Sequence, residues 1–196
     1  GPFTHCFYRQ EKAMCGGDGQ ADFRTCRPNA CPNSVMTEAQ VATVELRRRI
    51  DRTHLALARN VHADVGGPGV GAVGMCFSGG FALGMMVDDL MMAPVLAQPS
   101  MPFSVGEERG ADLNLSPDDE AAMIESAQLG CQVLGLRFTD DKLVGNRFST
   151  LRKKLGDAFI AIELPSEKKQ DHSTLTEQRD ETSVERVLDF FAEKLL

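Results

Sequence analysis

Cys76 is the residue of this chain best framed for chemistry. It stands in Val70-Gly71-Ala72-Val73-Gly74-Met75-Cys76-Phe77-Ser78-Gly79-Gly80, which runs into Phe81-Ala82-Leu83-Gly84-Met85-Met86. Small and β-branched residues read as a buried strand, the glycines as a sharp turn, and the apolar run as a helix. Such a turn pushes one side chain out of a sheet at a helix N-terminus, where unpaired N–H groups and the helix dipole favour a thiolate and a developing oxyanion. Gly74 before the thiol and Gly79 and Gly80 after it supply the small neighbours that the bend needs. With Ser78 as nucleophile, Cys76 would fall on the close-packed position that wants glycine, so the frame fits Cys76 better. A thiol nucleophile needs a base to take its proton and an acid to orient that base. Downstream, the chain offers the acidic turn Thr139-Asp140-Asp141 and, in a polar loop, His172.

The elements that must position these residues alternate along the chain. Ala93-Pro94-Val95-Leu96-Ala97-Gln98-Pro99 reads as a strand after a Met-rich stretch (Met85, Met86, Met91, Met92) that suits core filling. Ser116, Pro117 and the acids Asp118, Asp119 and Glu120 spell a helix start, so those acids serve the helix. Cys131 to Phe138 and Ala158 to Leu164 read as strands, with a helix from about Asn146 to Leu155 stopped by Gly156. A last helix, starting at Thr182 or Ser183, should bury Val184, Val187, Leu188, Phe191 and Leu195. Alternating strands and helices predict an α/β fold, a parallel sheet with helices on both faces, whose ligands bind beyond the carboxyl ends of the strands. Cys76, Asp141 and His172 would all lie there.

Ahead of this region, residues 37–62 predict a long helix, with Thr37-Glu38-Ala39-Gln40 as a capping box and Leu46, Ile50, Leu57 and Val61 as an apolar stripe. Gly66-Gly67-Pro68 should stop it, and His54 and His62 on it read as non-catalytic. Residues 1–36 show no periodicity beyond a short candidate strand at Thr4–Tyr8. The expected organisation is therefore an irregular segment 1–36 followed by an α/β core over 37–196.

Composition narrows the function. The chain has 196 residues, 42% of them hydrophobic, and a net charge of −7, which suits one soluble acidic domain with a sizeable core. Its basic residues are scattered or lie in short helical runs such as Arg47-Arg48-Arg49, so nucleic acid is not expected as a partner. No apolar run approaches the roughly 20 residues of a membrane span and no signal peptide is visible; the expectation is a cytoplasmic protein. Four of the six cysteines (Cys6, Cys15, Cys26, Cys31) crowd the first segment without a paired zinc spacing, so no metal is expected. Gly69-Val70-Gly71-Ala72-Val73-Gly74 spells a dinucleotide fingerprint, but its glycines precede and interrupt the strand instead of opening a helix after it, and no cofactor is expected. Cys76 also lacks a resolving cysteine at C-x-x-C distance, which weakens a redox reading.

Gly74-Met75-Cys76-Phe77-Ser78-Gly79-Gly80 resembles the nucleophile elbow of α/β-hydrolases with Cys for Ser, and in this form is most similar to the dienelactone hydrolase family. Ser78 stands where the usual elbow has a second glycine, a partial departure. The segment Leu136 to Val144 resembles the family's acid segment and selects Asp141, with Asp140 as runner-up, and Asp171 to Thr176 resembles its histidine loop. The resemblance covers about residues 55–196. It implies hydrolysis of a small ester or lactone by a Cys76-His172-Asp141 triad through a thioester, with the Phe77 N–H as half of the oxyanion hole. The family binds a substrate carboxylate through arginines, and those positions are not matched to Arg137, Arg147 or any other residue here, which leaves the substrate open. In that family the elbow follows several strands and a loop that donates the second oxyanion N–H. Residues 1–69 supply one long helix and one short strand, which implies missing or replaced N-terminal strands, an exposed sheet edge, and self-association through it. The other class of answer is a catalytically weak or inactive relative serving as an interaction module.

Overall fold

The computed structural model describes residues 5, 6, 34, 35, 38–102, 104 and 106–196. By internal contacts the chain divides into two units, Gly1–Thr53 and His54–Leu196. In the first, β1 (His5–Cys6) pairs antiparallel with β2 (Ser34–Val35). The Thr4–Tyr8 strand read from the sequence is therefore described only at His5–Cys6, and its partner is β2. Helix α1 (Glu38–Val65) begins in the first unit and ends in the second. The expected cap at Thr37 and the four N-terminal cysteines' side chains lie outside the described residues.

The second unit holds a four-stranded, wholly parallel sheet in the order β3 (Val70–Met75), β4 (Met91–Ala97), β5 (Val133–Phe138), β6 (Phe159–Leu164). Inner strands of a parallel sheet are covered on both faces and carry near-continuous apolar runs, as β4 and β5 do. Pro94 is tolerated in β4 because pairing with β5 starts only at Val95, so its missing N–H falls before the strand is bordered on both sides. β3 alternates between covered and exposed positions, leaving Val73 and Met75 open to solvent. Among the described residues only β4 pairs with it.

Helices cover both faces, which makes this an α/β fold. On one side α2 (Gly79–Gly84), α4 (Pro117–Gln128) and α5 (Arg147–Leu155) enclose a core that includes Leu83, Leu96, Met123, Phe148 and Phe159. Met86 and Met91 are buried in it, as core filling requires. Between β4 and α4 runs the short α3 (Gly106–Ala111). On the other face α6 (Glu181–Leu195) sets Val187 and Phe190 against Val95, Ala97, Leu134 and Leu136. Here the sequence reading needs correcting: Leu188 is 60% exposed and Phe190 is buried, because the line that faces the sheet runs through Ser183, Val187 and Phe190 at helical spacing, and Leu188 lies off it. Likewise Leu46, Leu57 and Val61 of the α1 stripe are exposed; helical spacing shows which side is apolar, not that a neighbour covers it.

The local signals in α4 and α5 act as expected. Ser116 Oγ accepts from Asp119 N at 3.1 Å with Pro117 as first helical residue, and α5 ends at Gly156, whose φ of 55° suits glycine. The glycines of β3 serve packing: a Cβ on Gly71 would lie 2.6 Å from the Phe191 ring, so Gly71 lets α6 approach the strand.

Candidate active site

Met75, Ala97, Leu136 and Ile162 form one row across the carboxyl end of the sheet, and the candidate residues lie in the connections just beyond it. Cys76 follows β3 directly with φ at +49°, a left-handed backbone that a non-glycine side chain rarely adopts and that clusters at functional sites. Two details hold the residue there. A Cβ on Gly74 would stand 2.4 Å from the Ser78 carbonyl oxygen, so only glycine lets the turn close. Ser78 Oγ donates to Met75 O at 2.9 Å and accepts from Met75 N at 3.0 Å. The Ser78 hydroxyl is thus spent on the turn, and the Cys76 sulfur is the group that projects. After the short 3-10 turn Cys76–Ser78, α2 is only six residues long and gives way to a second 3-10 turn at Met85–Val87, less helix than the apolar run suggested.

Asp141 and His172 meet in space. Beyond β5, the Asp141 side chain is buried and its Oδ2 lies 2.6 Å from His172 Nδ1, while Oδ1 accepts from Leu143 N at 2.9 Å. Asp140 is exposed, and its N–H donates to Ser166 Oγ at 3.0 Å. Of the two neighbouring acids, then, Asp141 is the one against the histidine. The loop after β6 is shaped by side chains that accept its amides: Asp171 Oδ2 takes Glu167 N and Lys168 N, and Gln178 Oε1 takes His172 N and Ser173 N. It is fastened to the sheet by Gln98, whose Oε1 accepts from Thr174 Oγ1 at 2.8 Å and from Thr174 N at 3.3 Å.

With Nδ1 on Asp141, the other ring nitrogen of His172 is buried without a hydrogen-bond partner, beside the Cys76 thiol with which the ring interacts. Catalytic hydrogen bonds are often long before substrate binds. The Asp141 hydrogen bond raises the His172 pKa to about 9 against the opposing effect of burial, with Cys76 adding to the rise. Burial alone would raise the Cys76 pKa, but the Ser100 hydroxyl, the neighbouring His172 ring and its charge, and the Phe77 N–H outweigh it and bring the thiol below its ordinary value. Opposite shifts in neighbouring groups favour a thiolate beside an imidazolium. The Phe77 side chain is exposed and its ring tilts against Phe81, with centroids 5.9 Å apart.

Sequence reading missed Ser100, whose Oγ lies 3.1 Å from Cys76 Sγ. The only signal was a hydroxyl just past a strand, which is common. It also left open whether Arg137 or Arg147 holds a substrate carboxylate, and both are committed elsewhere. Arg147 is 1% exposed and donates to the backbone carbonyls of Asp112, Leu143, Val144, Pro102 and Arg109. It fastens the connections after β4 and β5 to each other. Arg137 pairs with Glu163, donates to Gly145 O and stacks over Phe148.

On the open side of β3, His54, Leu57, Val61, Val73 and Phe81 help line a groove of about 360 Å³ that includes none of Cys76, Asp141 or His172. His54 packs edge-on to Phe81, and His62 Nε2 bonds Gly67 O. Among the described residues no cluster of His, Cys, Asp or Glu is arranged to hold a metal, and no helix is long and apolar enough to cross a membrane. No protein-family model, curated protein or solved structure matches the chain.

Proposed function

We propose that this chain is a cysteine hydrolase of small esters or lactones, similar in mechanism to dienelactone hydrolases, with Cys76 as nucleophile, His172 as acid and base, and Asp141 orienting the imidazole. The observation that carries this is the 2.6 Å Asp141–His172 contact beside a cysteine held at positive φ. The Cys76 thiolate adds to the ester carbonyl carbon, and the carbonyl π electrons move to oxygen, where the Phe77 N–H stabilises the charge. The tetrahedral species collapses, the C–O bond breaks, and the departing alkoxide takes the proton of the His172 imidazolium. Neutral His172 then removes a proton from water; the hydroxide adds to the thioester and expels the thiolate, leaving the carboxylic acid product and restoring the ion pair. No metal or cofactor enters these steps. A reducing cytoplasm is the compartment that suits a free reactive thiol.

The test is turnover of p-nitrophenyl acetate, with Cys76→Ala as control. Rates well below those of efficient esterases are expected, because the resembled fold takes its second oxyanion donor from a loop beside the elbow strand, and no described strand borders β3 on that side. Losing one such donor costs about 10² to 10³ in turnover. A fast esterase abolished by Cys76→Ala would remove the expectation of a weak hole; no Cys76-dependent turnover at all would remove the hydrolase reading. One observation favours a second reading: the edge of β3 that no described strand borders, with Val73, Met75 and Phe77 exposed around it, suits an interaction module that pairs through that edge with a second copy of the chain.

A further inference from the structure

Each residue of Gln98-Pro99-Ser100, directly beyond β4, touches a different part of the candidate site. Gln98 holds φ at +40°, is 2% exposed and carries the two bonds to Thr174 in the histidine loop. Its own N–H is fixed to Leu136 O at 2.7 Å. Pro99 packs against the elbow helix so closely that a Cβ on Gly79 would stand 2.6 Å from the proline ring. Ser100 N donates to Cys76 O at 3.1 Å, and its hydroxyl, on a residue 1% exposed, faces the sulfur at the same distance. Backbone strain at Gln98 is the kind of cost that persists where surrounding contacts over-determine a site.

We propose that Ser100 is a fourth catalytic residue, whose hydroxyl donates a hydrogen bond to the Cys76 sulfur and holds it as the resting thiolate. A thiolate only accepts hydrogen bonds, and a buried hydroxyl has no water to turn to, so donor and acceptor complement each other. The hydroxyl also favours the ionised sulfur, as His172 does, and together they overcome the effect of burial. During acylation the sulfur's charge passes to the carbonyl oxygen and Ser100 loses its anionic partner. When water cleaves the thioester and sulfur leaves as thiolate, Ser100 receives that charge again, so the same bond assists the departure. No proton leaves Ser100 at any step.

The inference rests on Cys76 being the nucleophile, but its test does not need ester turnover. The pH profile of Cys76 carboxamidomethylation by limiting iodoacetamide, read by peptide mapping, reports the sulfur's ionisation directly. In Ser100→Ala the midpoint is expected to move up by about one pH unit, the worth of one charge-assisted hydrogen bond, lowering the alkylation rate about tenfold on the acid side. Should the alanine variant fail to fold by circular dichroism, Ser100→Gly removes the same hydroxyl and carries the same expectation. A folded variant with an unshifted midpoint overturns the role of Ser100. If the midpoint shifts while no chain turns over an ester, Ser100 stands and the hydrolase reading falls.

Discussion

Cys76 and His172 shift each other in opposite directions, and the consequence is a pH dependence with a definite sign. The lowered thiol value favours the ionised sulfur, while the imidazolium, raised to about 9, still holds the proton that the leaving alkoxide needs. Ester turnover is therefore expected to rise as Cys76 ionises, at a lower pH than an ordinary thiol, and to fall above about 9 as His172 deprotonates, the limbs belonging to the coupled pair and not to either residue alone. Initial rates between pH 5 and 11 check this; a rate still rising at pH 10 would show that no imidazolium is needed. His172→Ala should lower any turnover by about 10² to 10⁴, the range of general acid–base contributions. The loss should not add to that of Cys76→Ala, since both act as one unit. Asp141→Ala should cost more than Asp140→Ala, because only Asp141 touches the ring. At this scale the sequence was informative: the glycine frame singled out Cys76, and the resemblance of two further segments pointed to Asp141, with Asp140 as runner-up, and to His172. Ser100 and Gln98 were illegible, because their roles depend on the end of β4 lying beside the end of β3, a tertiary fact that no local pattern records.

The β3 to α2 passage makes the tightest demand on an element. Its turn closes only because position 74 lacks a Cβ and Ser78 ties Met75 from both sides. Gly74→Ala should force the Ser78 carbonyl away and destabilise the protein by about 1–3 kcal/mol, the usual cost of overpacking. It should also slow Cys76 alkylation by displacing the thiol from Ser100 and His172. Thermal melts and the alkylation rate together check this; a Gly74→Ala variant as stable and as reactive as the parent would contradict the close approach. Strands and helices were legible wherever caps, glycines and apolar runs agreed, as at Ser116 and Gly156. Burial on α6 was not, because Leu188 and Phe190 both suit an apolar face, and only the packing of Val187 and Phe190 on the sheet decides between them.

The second unit, His54–Leu196, is organised by one end of one sheet. Each of the four parallel strands leads into a connection that brings a residue to the site: Cys76 after β3, Ser100 after β4, Asp141 after β5 and His172 after β6. Arg147 and the Gln98–Thr174 bonds fasten those connections to one another. The alternation of elements made the parallel sheet predictable, whereas the surroundings of β3 were not, since residues 1–69 carry too few strand signals to say what borders it. Edge strands with free backbone groups invite pairing with another chain, and a charge on the edge prevents it. Self-association through β3 is accordingly expected to appear as a concentration-dependent mass in sedimentation equilibrium and to disappear in Val73→Lys. A parent chain that stays monomeric throughout would contradict it. The central claim, a covalent thioester on Cys76, is tested most directly by intact-mass and peptide-mapping spectrometry after brief exposure to p-nitrophenyl acetate. The account predicts a single acetyl group on Cys76, removed by neutral hydroxylamine and absent from Cys76→Ala; acetylation confined to other residues, with Cys76 unmodified, would contradict it.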